Sequence, residues 1–220
     1  MTGREPRARL GGTGRLADDL YLLAHHDVTG RPYLQPRAIG IGLAGALLAE
    51  LMLADRICIW PDGVGAAGRT PPEDGLALRV LDLVVSERER LPARDWLLFL
   101  ARTSAQDVAQ RLEQSGYLTQ ASPRRPWRAE RWVPVDSDCA FAPLTRAQSA
   151  LNPSRPATAQ GAALAGLAAA CGLGSRLLPY GPPGARRCLD EAVRQLPSGL
   201  RDLIAQTQAA VDAAVLTHRV

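Results

Sequence analysis

Residues able to do chemistry are few in this chain, and their spacing excludes most catalytic arrangements. It has three His and four Cys among its 220 residues. His25 and His26 are adjacent, so on a helix they point about 100° apart and cannot chelate one metal as an i, i+4 pair does. With Asp27 they read as the polar end of a helix. Cys58, Cys139, Cys171 and Cys188 form no CxxC pair, which argues against a zinc site and for reduced thiols. No Ser lies in a nucleophile-elbow context, so no catalytic group assembles, and neither cofactor nor metal is implied. Gly40-Ile41-Gly42-Leu43-Ala44-Gly45 matches G-x-G-x-x-G, but Pro32 and Pro36 occupy the place of the strand a dinucleotide fold needs. The glycines are better explained as a seam where a second helix packs closely.

One segment has a distinctive chemistry. Pro123 to Pro134 carries Arg124, Arg125, Arg128 and Arg131 against one acid, Glu130, with Trp127 and Trp132 interleaved. Indole rings favour the headgroup level of a membrane and guanidinium groups grip phosphate, so the pairing suits an anionic lipid surface. It would also suit a nucleic-acid backbone, or an exposed hairpin whose tryptophans fold back on the core. At about 1 kcal/mol per basic residue the net excess is worth roughly 3 kcal/mol, so tryptophan insertion or several copies acting together would be needed.

The elements that would carry these groups are mainly helical. Aromatic residues are 5% of the chain and hydrophobic residues 46%, so the core must come from Leu, Ala, Val and Ile. Every one of the 26 basic residues is Arg, which looks like the coding bias of a G+C-rich bacterial genome; the net charge of +4 permits an anionic partner without demanding one. Residues 1–14 hold Arg4, Arg7 and Arg9 without an apolar stretch and read as a flexible arm, not a signal peptide. Residues 15–220 read as a single helical domain around a buried central helix, with a projecting β-hairpin.

Helices are expected over Leu16–His25, Ala38–Ala54, Leu76–Glu89, from Pro92 through Leu100, and from an N-cap at Ser104, with Asp107 as capping-box partner, to Ser115 before Gly116. Further helices follow near Thr145–Leu151, Thr158–Cys171, Ala185–Leu196 and Ser198–Thr217. Strands are expected at Arg56–Trp60, Tyr117–Gln120 and Arg131–Val135, and a mobile loop over Pro61–Asp74. Ala38–Ala54 is apolar on all sides apart from Glu50, which would be costly in lipid, so a buried core helix is preferred over a membrane span.

Several strings resemble the Golgi phosphoprotein 3 family. Gly42 to Ile57, GLAGALLAELMLADRI, is similar to its central helix. Leu16 to Ala24 followed by Asp27-Val28-Thr29-Gly30 resembles its start, and Gly116-Tyr117-Leu118-Thr119 the turn before its hairpin. The order of elements agrees from about Arg15 onward. The resemblance implies a helical fold with a membrane-contacting hairpin, no catalytic activity, binding of phosphatidylinositol 4-phosphate, membrane-protein clients and self-association. The family's headgroup residues fall on Gln35, Ala44, Arg102 and Ala105, of which only Arg102 keeps the required type, so headgroup selectivity is not implied.

The resulting expectation is a non-catalytic peripheral-membrane adaptor, cytoplasmic or on the inner face of the membrane. Its lipid-binding residues would be Arg102, Arg124, Arg125, Trp127, Arg128, Arg131 and Trp132, and it could form a homo-oligomer through the hairpin. The alternatives are a winged-helix DNA-binding regulator, with Asp107–Ser115 as recognition helix and Pro123–Pro134 as wing, and an oligomeric scaffold. One Arg facing Asp107 and Glu113 is a poor footprint for a groove, which makes nucleic acid the weaker choice.

Overall fold

The computed structural model describes residues 13–68, 70–121, 131–154, 156–178 and 184–216. Among these, ten helices and two small antiparallel sheets follow in the order α1 (Leu16–Ala24), α2 (Pro36–Leu53), β1 (Ile57–Trp60), β2 (Gly63–Ala66), α3 (Gly75–Ser86), α4 (Ala93–Leu100), α5 (Ser104–Gln114), β3 (Leu118–Ala121), β4 (Arg131–Pro134), α6 (Ser137–Ser149), α7 (Ala159–Ala170), α8 (Gly174–Leu177), α9 (Ala185–Arg194) and α10 (Ser198–Leu216). The mainly α architecture expected from composition is therefore the observed one.

The apolar α2 lies at the centre, enclosed by α1, α4, α5, α7 and α10. It is long and apolar enough to cross a bilayer, but its apolar residues are spent on packing inside the protein. Its glycines act as the expected seam. A Cβ at Gly40 would stand 2.5 Å from the Ala101 carbonyl oxygen, one at Gly42 would collide with Cys171 Sγ, and one at Gly45 would stand 2.7 Å from Thr207 Oγ1. Three neighbours thereby approach the helix more closely than any side chain would permit.

Beside this apolar packing sits a charged one. Asp18 and Asp19, in the first turn of α1, are fully buried. Arg111 of α5 reaches Asp18 at 2.7 Å, Asp74 at 2.8 Å and Glu50 at 3.2 Å, while Arg146 of α6 pairs with Asp19. Glu50 also accepts the Ala17 N–H at 2.7 Å. Burial raises the carboxyls of Asp18 and Glu50, with Arg111 pulling the other way, and pushes Asp19 up to about 6 against the pull of Arg146. At Asp74 burial is outweighed by the Ala77 N–H and Arg111, which hold it below the usual carboxylate range. Glu50, an acid on the otherwise apolar body of the central helix, is thus a joint between α1, α2 and α5.

Several expected elements are revised. Pro61–Asp74 is not one loop. Gly63–Ala66 forms β2, registered so that Ile57 faces Ala66, with the Val64 N–H bound to the Leu91 carbonyl at 2.9 Å. Alternating Gly removes the side-chain pattern that marks a strand. Ser104 is not the N-cap of α5. Thr103 holds that place, and Ser104 is buried, its hydroxyl donating to the Gly40 carbonyl at 2.8 Å. Asp107, freed from a capping box, pairs with Arg79 at 3.3 Å. The helix expected near Thr145–Leu151 begins at Ser137, capped by Asp136, and passes through Pro143 because Ala140, Leu144 and Ala147 bury together. Leu98 of α4 points outward, while Trp96, Leu97 and Leu100 form the buried face.

Candidate functional site

β3 and β4 pair from Leu118↔Pro134 to Ala121↔Arg131, and these four-residue strands are the foot of the hairpin. The foot is held at two places. Tyr117 and Leu118 are buried in the core. The turn between α1 and α2 closes on β4, where a Cβ at Gly30 would collide with the Trp132 carbonyl oxygen. Gly30 has φ 61°, so the same residue meets both a left-handed backbone and a contact that allows no side chain.

Between this turn, the hairpin foot and the start of α5 lies a cleft of about 410 Å3, lined by Tyr21, His25, Gly30, Pro32, Ala105, Gln106, Arg131 and Trp132. Trp132 Nε1 donates to Glu113 at 3.4 Å and its ring packs partly against the core. Arg131 is half-buried, and its Nε has no hydrogen-bond partner among the described residues. His25 Nδ1 lies 2.7 Å from the Tyr21 carbonyl and its ring stacks on Tyr21, centroids 4.1 Å apart. Burial pulls the His25 imidazole below its usual range, against the opposing effect of that hydrogen bond, and pushes Tyr21 up to about 12. His25 is therefore neutral near pH 7, with Nδ1–H donating and Nε2 left as an acceptor.

The residues expected at a lipid site do not all meet. Arg131 and Trp132 line the cleft; Arg124, Arg125, Trp127 and Arg128 lie outside the described residues. Arg102 is exposed at the end of α4 and lines a separate, smaller apolar groove of about 180 Å3 with Leu76, Val80, Leu83 and Phe99. Of the positions on which the resemblance would place the family's headgroup residues, Gln35 is the exposed N-cap of α2, Ala44 is fully buried, and Ala105 lines the hairpin cleft. They do not form one pocket. Tyr21, His25, Gly30, Pro32 and Gln106 also line the cleft, though nothing in the sequence marks them as site residues. In sequence His25 and Gly30 read only as helix end and turn, because nothing local says that the turn folds back on a strand a hundred residues away.

Arg111 is likewise corrected. On a recognition helix it would face outward with Asp107 and Glu113. Here it is 6% exposed and turned into the carboxylates of Asp18, Glu50 and Asp74, so the surface of α5 lacks the cation a DNA groove would need.

The fold and its cleft define a helical protein in which a β-hairpin foot is clamped onto a buried helical core. The Golgi phosphoprotein 3 (GPP34) family model matches residues 16–216, and the chain belongs to that family. No curated protein matches the chain.

Proposed function

We propose that the protein is a non-catalytic peripheral-membrane adaptor that docks on anionic lipid through the hairpin and the face beside it. The observation that carries this reading is the hairpin foot itself, where Arg131 and Trp132 line an open cleft. The neighbouring turn extends the same chemistry. Arg31 and Val28 are exposed in the turn, Arg37 is exposed at the start of α2, and Arg176 of α8 stacks over the Tyr33 ring at 3.7 Å. The turn also holds one acid, Asp27, and is fixed by His26 Nδ1, which accepts from the Val28 and Thr29 N–H groups at 3.1 and 3.3 Å. Guanidinium groups beside exposed apolar and aromatic side chains match a phosphate layer above acyl chains. Membership of a family of lipid-binding adaptors supports the same reading, with Arg124, Arg125, Trp127 and Arg128 completing the contact.

Co-sedimentation with phosphatidylcholine vesicles containing an anionic lipid tests it. Wild-type protein binds at low salt and releases as salt rises, because contacts beyond about 10 Å are screened at 0.1 M. A Trp127→Ala/Trp132→Ala variant binds less. If the wild type does not sediment with anionic vesicles at low salt, the reading is wrong.

A further inference from the structure

The cleft at the hairpin foot is more selective in its chemistry than a basic surface. Among its described lining residues Arg131 is the one formal charge, since His25 is held neutral and Gln106, Tyr21 and Trp132 carry none. Arg131 cannot shed its proton, and its half-buried guanidinium lines the cleft, so the position calls for an acceptor anion. Guanidinium pairs with phosphate through two parallel hydrogen bonds. One guanidinium balances one negative charge. A phosphate monoester carries about −1.5 to −2 at pH 7 and would leave charge unmatched in a half-closed space. A phosphodiester carries one.

The remaining polarity is set by His25. Its Nδ1–H is committed to the Tyr21 carbonyl at 2.7 Å, which leaves Nε2 as an acceptor on a ring that lines the cleft. An acceptor in this place wants a hydroxyl donor, and the Gln106 amide can serve the same hydroxyl from α5. The described lining contains no carboxylate to receive the ammonium of a zwitterionic headgroup. Ala105 and Gly30 line the cleft without projecting a long side chain into it.

We propose that this cleft takes a phosphodiester bearing a terminal hydroxyl, presented as a lipid headgroup of the glycerol type, with Arg131 on the phosphate and His25 Nε2 accepting from the hydroxyl. The proposal rests on the membrane-docking reading and narrows it to a headgroup of single charge.

Two sets of vesicles at matched surface charge, phosphatidylcholine with phosphatidylglycerol and phosphatidylcholine with phosphatidylserine, test it. Wild-type protein favours phosphatidylglycerol by about fivefold, the value of one hydrogen bond made or lost. His25→Leu removes the acceptor and brings the two affinities together while the charge-dependent part persists. Ala105→Phe fills the cleft without touching a charge and has the same effect, which keeps the test valid should His25→Leu fail to fold. Equal wild-type binding to both vesicles, or a preference that survives both variants, overturns the proposal. Should the wild type bind no anionic vesicle, the docking reading fails separately. Soluble glycerophosphoglycerol then decides the cleft: a shift of the His25 Nε2 resonance that Arg131→Gln abolishes supports a diester site, and no shift overturns it.

Discussion

Arg111 shows how one side chain can be turned from a surface role to a structural one. It is 6% exposed and shared by Asp18, Glu50 and Asp74. Removing it leaves these carboxylates with the more exposed Arg15, which stands 3.9 Å from Asp18 and 3.5 Å from Asp74 and does not pair with Glu50. Breaking a buried pair in this way costs about 3–5 kcal/mol. Arg111→Met should destabilise the protein by that amount at pH 8. The loss should be smaller at pH 5, where the orphaned carboxyls take up protons, so paired denaturant unfolding curves at the two pH values check both parts. Arg102→Ala is the contrast. Arg102 is exposed, and its removal should change stability by no more than about 0.5 kcal/mol.

The glycine seam of α2 sets how closely the elements around it can pack. Gly40→Ala places a methyl 2.5 Å from the Ala101 carbonyl oxygen and disturbs the helix at the carbonyl that Ser104 binds. Overpacking against backbone costs about 1–3 kcal/mol. Gly75→Ala, at the start of α3, meets nothing within 4 Å and should be neutral or slightly stabilising. Thermal unfolding of the two variants separates a packing role from a merely permissive one. The seam is legible in the sequence because a run such as Gly42 to Leu53 is apolar on nearly every face, and only a buried helix tolerates that. The helix α7 is legible for the same reason, since Ala162 to Ala168 leaves no polar side to expose. β2 is hidden because Gly63 and Gly65 carry no side chains, and the first half of α6 because Pro143 reads as a helix breaker. The candidate site is half visible. Arg131 and Trp132 announce themselves by type, whereas His25, Gly30 and Gln106 become partners only through the closure of the 26–30 turn on β4, a long-range contact with no local signature. Arg102, expected beside them, lies in another groove.

For the molecule as a whole, buried carboxyls make stability depend on pH in an unusual sense. The folded protein holds a proton on Asp19 up to about pH 6, where the unfolded chain releases it near 3.8. Between those values the folded state binds more protons, so the contribution of Asp19 to stability rises as pH falls and is lost as pH climbs through 6. Asp18 and Glu50, also raised, act in the same direction; Asp74, lowered, acts in the opposite one in the acid range, and His25, lowered, does so below pH 6.5. Asp19→Asn isolates the first effect. The stability of wild type relative to Asp19→Asn should increase on going from pH 7 to pH 4.5, by about 2 kcal/mol. Denaturant titrations of both proteins across that range measure it, and a difference that stays constant with pH would refute the assignment.

Cys171 seated against Gly42 has a practical consequence. Its thiol is buried and pushed up to about 12, whereas Cys58 on β1 is exposed. A thiol reagent therefore finds Cys58 at once and reaches Cys171 only when α2 and α7 part. The labelling rate at Cys171 is then a clock for the opening of the core, wound by the protein itself, and it can be read with and without vesicles to learn whether docking loosens the helices or tightens them.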